Sequence, residues 1–276
     1  MSLEAALEMV ALSDSGMVRS HNEDSIGTLP ERGLAILADG MGGYNAGEVA
    51  SGIAVSLIAA EMKQSLTGQS PAQPDPATGK TVAERLLREQ VQRANASVYQ
   101  AAQSQPQYSG MGTTLVVALF FDNRVAVAHI GDSRIYRLRG DEMTQITKDH
   151  SLLQEQIDSG MITKEEARLS MHKNLVTRAL GIDSQVEPEI HVHEAKPEDV
   201  YLLCSDGLND MVEDEEIRLT LLTLRANLPL AARQLIQLAN DNGGRDNVSV
   251  VLVRIKQDFS TQRGGGFSRL FSKFRK

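Results

Sequence analysis

The chain has 276 residues, enough for one large domain or two small ones. Its 28 Lys and Arg stand against 36 Asp and Glu, a formal net charge of −8, which argues against a polyanionic nucleic acid as its partner. Hydrophobic residues make up 41%, enough for a buried core; no apolar run reaches the roughly 20 residues of a membrane span. The single cysteine, Cys204, excludes an internal disulfide or a Cys-cluster zinc site. Acids in the first residues, MSLEAALEMV, do not suit a secretion signal, so the expected location is the cytoplasm.

In chain order, the first strong strand signal is LAILA at 34–38. A helix is expected over about 47–65, where Val49, Ile53, Leu57 and Ile58 share a face. Residues 64–80, with three prolines, read as a loop leading to a second helix at about 82–103. Strands follow at 114–121 and 124–130, joined by Asp122-Asn123, a hairpin signal. Another strand at 134–138 runs into a turn at Arg139-Gly140-Asp141. Weak helical pieces lie between 151 and 169. A strand at 200–204, helices at about 214–226 and 229–240, and a strand at 248–255 complete the body. Several hairpins with long helices imply antiparallel sheets covered by helices in one domain.

The last residues differ. TQRGGGFSRLFSKFRK carries five basic residues and no acid, leaving 23 basic against 36 acidic residues in the body. After three glycines, Phe267, Leu270, Phe271 and Phe274 fall at helical spacing with basic neighbours. A flexible basic amphipathic tail over 259–276 is expected, suited to an anionic membrane surface or an acidic partner, or to solvation alone.

Three aspartates sit at the margins of apolar strands: Asp39 in LAILADG, Asp206 in VYLLCSDG and Asp246 in GGRDNVSVV. Asp132 follows a strand in HIGDSRIY. Glu23 and Asp24 lie upstream in SDSGMVRSHNEDS, with Arg19 four residues before Glu23. Singly, each Asp reads as an ordinary turn or cap. Gathered together they repel unless cations neutralise them, and oxygen donors without His or Cys favour Mg²⁺ or Mn²⁺. Gly40, lacking a Cβ, lets a backbone carbonyl approach the same ion. Arg19 offers a fork of donors for a phosphate, or an ion pair with a nearby acid.

SDSGMVRSHNEDS, LADGMGG, GMGTTLV, HIGDSRIY, LLCSDGL and GGRDNVSVV together resemble, in order, the motifs of the metal-dependent type 2C serine/threonine protein phosphatases, and the short DGMGG form resembles the bacterial branch. The resemblance runs from about Ser13 to Ile255. It implies an α+β fold: two antiparallel β-sheets packed as a sandwich with helices on both outer faces, filling 1–258. It implies Mn²⁺ or Mg²⁺ as cofactor, two ions, with a third, weaker one in bacterial members. Asp39 would bridge the two ions, with the Gly40 carbonyl, Asp206 and Asp246 as further ligands. Glu23 and Asp24 would hold metal-bound waters, Asp132 with Asp206 would bind the third ion, and Arg19 would hold the substrate phosphate. Residues 149–181 would form the flap beside the site.

The implied activity is hydrolysis of phosphoserine and phosphothreonine in proteins by a metal-activated water, reversing a cognate serine/threonine kinase. A phosphatase of small metabolites and a non-catalytic docking module are the alternatives. Eukaryotic members place a histidine, the proposed general acid, where this chain has Met41, which cannot donate a proton. A metal-bound water is the first replacement, with His172 and His21 behind it. Tyr44 is expected to line the cleft or pack. Met111, Met143 and Cys204 read as core.

Overall fold

The computed structural model describes residues 2–43, 46–168, 170 and 175–261. The strands are β1 Leu7–Asp14, β2 Asp24–Leu29, β3 Leu34–Met41, β4 Gly112–Thr113, β5 Leu115–Phe121, β6 Arg124–Ile130, β7 Arg134–Arg139, β8 Glu142–Gln145, β9 Glu189–Glu194, β10 Val200–Cys204 and β11 Val248–Ile255. The helices are α1 Leu3–Ala6, α2 Ala46–Ser65, α3 Val82–Ser104, α4 Leu152–Asp158, α5 Lys164–Arg168, α6 Asp206–Asn209, α7 Asp214–Leu224 and α8 Leu228–Asp241. One sheet runs β1-β11-β10-β7-β8. The other runs β2-β3-β5-β6-β9, with β4 paired to β3. All of these pairs are antiparallel.

The apolar runs are uninterrupted because the central strands are covered on both faces. Along β5, Leu115, Val117, Leu119 and Phe121 join a core shared with α2 and α3, whereas Val116, Ala118 and Phe120 enter the space between the sheets. Along β11, Val248, Val250 and Leu252 pack under α7 and α8, while Val251, Val253 and Ile255 turn to the same central space. Alternation of side chains across a strand thus divides the apolar residues among three cores and stacks four layers: helices, sheet, sheet, helices. Phe120 and Tyr201 meet across the central layer edge to face, with centroids 5.1 Å apart.

Local signals set the element ends. Asp122 and Asn123 both take left-handed backbone (φ 46° and 55°), the requirement of a two-residue hairpin between β5 and β6. Thr81 and Glu84 form a reciprocal capping box at the start of α3. The expected helices and the six expected strands are present within a few residues of their predicted bounds. Strands β1, β2, β4, β8 and β9 were not anticipated; β1, β2, β8 and β9 are the four outer strands of the two sheets. Phe259 is buried in the central core, and Thr261 donates its backbone N–H and its hydroxyl to Asp122 Oδ1 (2.7 and 2.8 Å).

Candidate active site

The ends of β1, β3, β6, β10 and the beginnings of β2, β5 and β11 converge at one edge of the sandwich. The carboxylates gather there. Asp39 lies within β3, directly opposite Asp24 of β2 in the strand register, so two carboxyl groups face each other across the ladder. The Asp39 N–H donates to Thr114 Oγ1 (3.1 Å), and its carbonyl accepts from the Thr114 N–H and the Thr113 hydroxyl (both 2.8 Å). Asp206 is the first residue of α6, immediately beyond β10, and Asp246 precedes β11. Asp132 follows β6 and is buried.

Gly40 occupies a gap that no other residue fits. Its N–H donates to the Glu23 carbonyl (3.1 Å). A Cβ there would lie 2.1 Å from the Gly47 carbonyl oxygen and 2.6 Å from that of Glu23. The start of α2 and the approach to β2 therefore close on β3 from two sides.

Two residues that the sequence reading passed over tie the cluster together. Asn247 donates to the Ser15 and His21 carbonyls (3.1 and 2.9 Å) and accepts from the Glu23 N–H (2.7 Å). Ser205, fully buried, donates to Asp24 Oδ2 (2.8 Å) and accepts from the Ser249 N–H (3.0 Å). Their signal was a small polar residue beside each motif aspartate, which alone does not separate a brace from a turn. At the rim, Arg19 Nη2 reaches Asp246 Oδ2 at 2.7 Å while the Arg19 side chain stays 49% exposed.

The electrostatics of this cluster are unfavourable to the protein alone. Burial first, then repulsion from Asp24, Asp206, Asp132 and Asp246, pushes Asp39 well above the usual carboxylate range. Burial and the neighbouring acids do the same to Asp206. Asp24 and Asp132, both buried beside other acids, are each pushed up to about 7. Burial raises Glu23 as well, with Arg19 partly offsetting it. Asp24 Oδ1 is buried without a hydrogen-bond partner. Such a collection of hard oxygen donors, in excess of the cationic side chains around it, fits divalent cations of the Mg²⁺ or Mn²⁺ kind.

A cavity of about 200 Å³ adjoins the cluster. Asp132 and Asp206 line it from one side, and Asp149, Leu153 and Asp214 from others. Arg134 crosses its wall, holding both oxygens of Asp149 and the Tyr136 hydroxyl, which in turn donates to Asp214.

Among the other expected residues, His21 is exposed, Met111 is fully buried and Met143 packs partly buried beneath α7 and α8. Burial pushes the Cys204 thiol up to about 12, as suits a core residue. Tyr44 and His172 lie outside the described residues. The sequence reading missed a histidine group altogether: His129, His150 and His191 surround Glu189.

A family model described as protein phosphatase 2C matches residues 18–244. The chain belongs to the protein phosphatase 2C family. The matched span takes in Arg19, Glu23, Asp24, Asp39, Gly40, Asp132 and Asp206 and ends just before Asp246. Its relatives include bacterial serine/threonine phosphatases. The chain is 38% identical over 247 residues to the serine/threonine phosphatase stp of Listeria innocua, covering 87% of this chain and 93% of that one. It superposes on the crystal structure of the Mycobacterium tuberculosis serine/threonine phosphatase PstP/Ppp with a TM-score of 0.81 at 41% identity, covering 91% and 99% of the two chains. A structure of the PstP catalytic domain in complex with two manganese ions matches with a TM-score of 0.78 at 41% identity, covering 90% and 97%. The two-sheet sandwich expected from the protein phosphatase 2C motifs is the architecture these neighbours share.

Proposed function

We propose that this protein phosphatase 2C chain is a protein-serine/threonine phosphatase that uses Mn²⁺ or Mg²⁺. One observation carries this reading: a buried group of carboxylates, held by a rigid backbone and short of positive charge, opens beside the half-exposed guanidinium of Arg19. Asp39, the Gly40 carbonyl, Asp206 and Asp246 would hold two divalent ions, and Asp132 with Asp206 a third, weaker one. Bound there, the ions supply Lewis acidity that activates water and offsets the charge of a phosphate. Glu23 and Asp24 orient the surrounding waters. Arg19, freed from Asp246, grips two oxygens of the substrate phosphate and stabilises the charge that grows on them as the ester bond breaks. Met41 cannot protonate the departing serine or threonine oxygen, so that proton comes from water at the site.

The natural substrates are phosphoproteins, and the natural counterpart is a serine/threonine kinase. The deciding experiment uses chelator-stripped protein and a phosphothreonine peptide, with and without Mn²⁺. Turnover that needs the metal supports the reading. A folded, metal-binding protein that leaves the peptide intact but cleaves a small phosphate ester overturns it in favour of a metabolite phosphatase.

The basic tail is proposed to dock on an anionic membrane or acidic partner, placing a cytoplasmic enzyme at such a surface. No helix among the described residues is long and apolar enough to cross a membrane. Thr261 is fastened to the β5–β6 turn, one strand length, roughly 23 Å, from the Asp39 edge. Deleting residues 264–276 should leave aryl phosphate turnover unchanged and reduce sedimentation with phosphatidylserine vesicles; equal sedimentation of both forms removes the idea.

A further inference from the structure

His129 and Glu189 are register partners across β6 and β9, and His150 stacks on His129 with centroids 4.7 Å apart. One ligand atom from each of these three side chains lies within 4.8 Å of the others, a spacing that suits a transition-metal site. The hydrogen bonds give these side chains a different role in the metal-free protein. Burial holds both imidazoles below their ordinary pKa, so each is neutral and carries one ring proton. His150 Nδ1 accepts from the Gly131 N–H (3.2 Å), which places its proton on Nε2, facing Glu189 Oε2 at 3.2 Å. His129 Nε2 faces the Lys148 carbonyl (2.8 Å), which can only accept, so its proton is there too. Both Nε2 atoms near Glu189 are donors in this arrangement. Glu189 is the acceptor: although burial works against it, bonds from His191 and His150 hold its pKa down at about 2.

What remains is a mechanical linkage. The His150 N–H donates to the Gly131 carbonyl (2.9 Å), so residues 150 and 131 are joined twice. Gly131 has φ +100°, and a Cβ there would fall 2.6 Å from Thr114 Cβ, so this turn is wedged against the residue that holds the Asp39 backbone. On its other side the His150 carbonyl accepts from the Thr177 N–H (2.8 Å), and Leu152 N–H donates to Leu175 (2.9 Å). These are the two stems of the flap. Arg134 secures Asp149 on the first stem. His150 is bonded to the second stem and to the turn preceding Asp132.

We propose that His150, held in one tautomer by Glu189, is a positioning residue that fixes both flap stems against the Gly131–Asp132 turn and thereby sets how the flap meets a phosphoprotein. The kinetic part of its test rests on the phosphatase reading; the proteolytic part does not.

The full-length protein is compared with His150→Ala, His150→Asn, Glu189→Leu and Glu189→Gln. Asn at 150 keeps an acceptor for Gly131, and Gln at 189 keeps an acceptor for the His150 ring proton. Trypsin cleavage between the two stems is followed in metal-free protein. KM and kcat are measured on a phosphothreonine peptide and on an aryl phosphate, and melting is recorded for each variant. His150→Ala and Glu189→Leu should speed flap cleavage and raise peptide KM by about tenfold each, the loss of one or two hydrogen bonds, with kcat on the aryl phosphate changed less. Glu189→Gln should restore both readouts to near wild type. A lower melting temperature with cleavage and peptide KM unchanged would overturn the proposal, as would a Glu189→Gln as defective as Glu189→Leu. If His150→Ala does not fold, the half-exposed Glu189 pair decides alone. Failure of wild type to cleave the peptide sinks the phosphatase reading, while the proteolysis still judges the linkage.

Discussion

Gly40→Ala separates a geometric claim from a chemical one. The added methyl would sit 2.1 Å from the Gly47 carbonyl oxygen and 2.6 Å from that of Glu23, both backbone atoms on opposite sides. An ordinary carbon–oxygen contact needs more than 3 Å, so the start of α2 or the entry to β2 must retreat by roughly 1 Å. Forcing a methyl into packed backbone costs about 3 kcal/mol at the upper end of overpacking. Replacing glycine also restricts the unfolded chain, which returns about 0.4–1 kcal/mol. The net loss of about 2 kcal/mol should lower the melting temperature by roughly 4–8 °C. Gly43→Ala is the control, because nothing lies within 4 Å of its added methyl. The assay is urea unfolding of chelator-treated protein followed by far-UV circular dichroism, then Mn²⁺-dependent turnover. Gly40→Ala should unfold at lower urea and need more Mn²⁺ for half-maximal rate, because its carbonyl has moved; Gly43→Ala should match wild type. A Gly40→Ala protein as stable as Gly43→Ala would refute the close approach.

Asp206→Asn should abolish peptide turnover while the metal-free protein melts no lower than wild type, since one buried like charge has gone; full retained activity would contradict its place in the metal centre. Arg19→Ala should mainly raise KM for the phosphopeptide, and a fall in kcat at unchanged KM would mean that Arg19 acts only as the ester bond breaks. Without metal, burial pushes Asp24 and Asp132 up to about 7 in the folded protein, against 3.8 in a free chain. The folded state therefore binds more protons between those values, and stability should fall as pH rises from about 4 to about 7. A urea midpoint that rises over this range would contradict the buried repulsion, and saturating Mn²⁺ at pH 7.5 should restore what is lost.

What the sequence made legible follows from burial. Strands β3, β5, β6, β10 and β11 are covered on both faces, so they appear as unbroken apolar runs, and a carboxylate at the margin of such a run stands out. That is why Asp39, Asp206 and Asp132 stand out in the sequence alone. The outer strands carry a weaker signal. In β9, Glu-Ile-His-Val-His-Glu, Ile190 and Val192 pack partly buried on the helix-side core, while charged and titratable residues take the remaining places. Such residues protect a sheet edge from further pairing and at the same time blur the strand pattern. The consequence reaches beyond the fold. His129, His150 and Glu189 are separated by 21 and 39 positions, and nothing local connects them. Only the pairing of β6 with β9 sets His129 opposite Glu189, and only the return of the chain through Asp149 brings His150 onto the stack. A reading that leaves β9 as coil therefore loses the linkage together with the strand, whereas the proposed metal centre survives that error because Asp39, Asp132 and Asp206 each stand at the margin of a strand that announces itself. Sequence motifs expose the groups that bear charge at the site; the groups that hold the flap to it are visible only through the register of an edge strand.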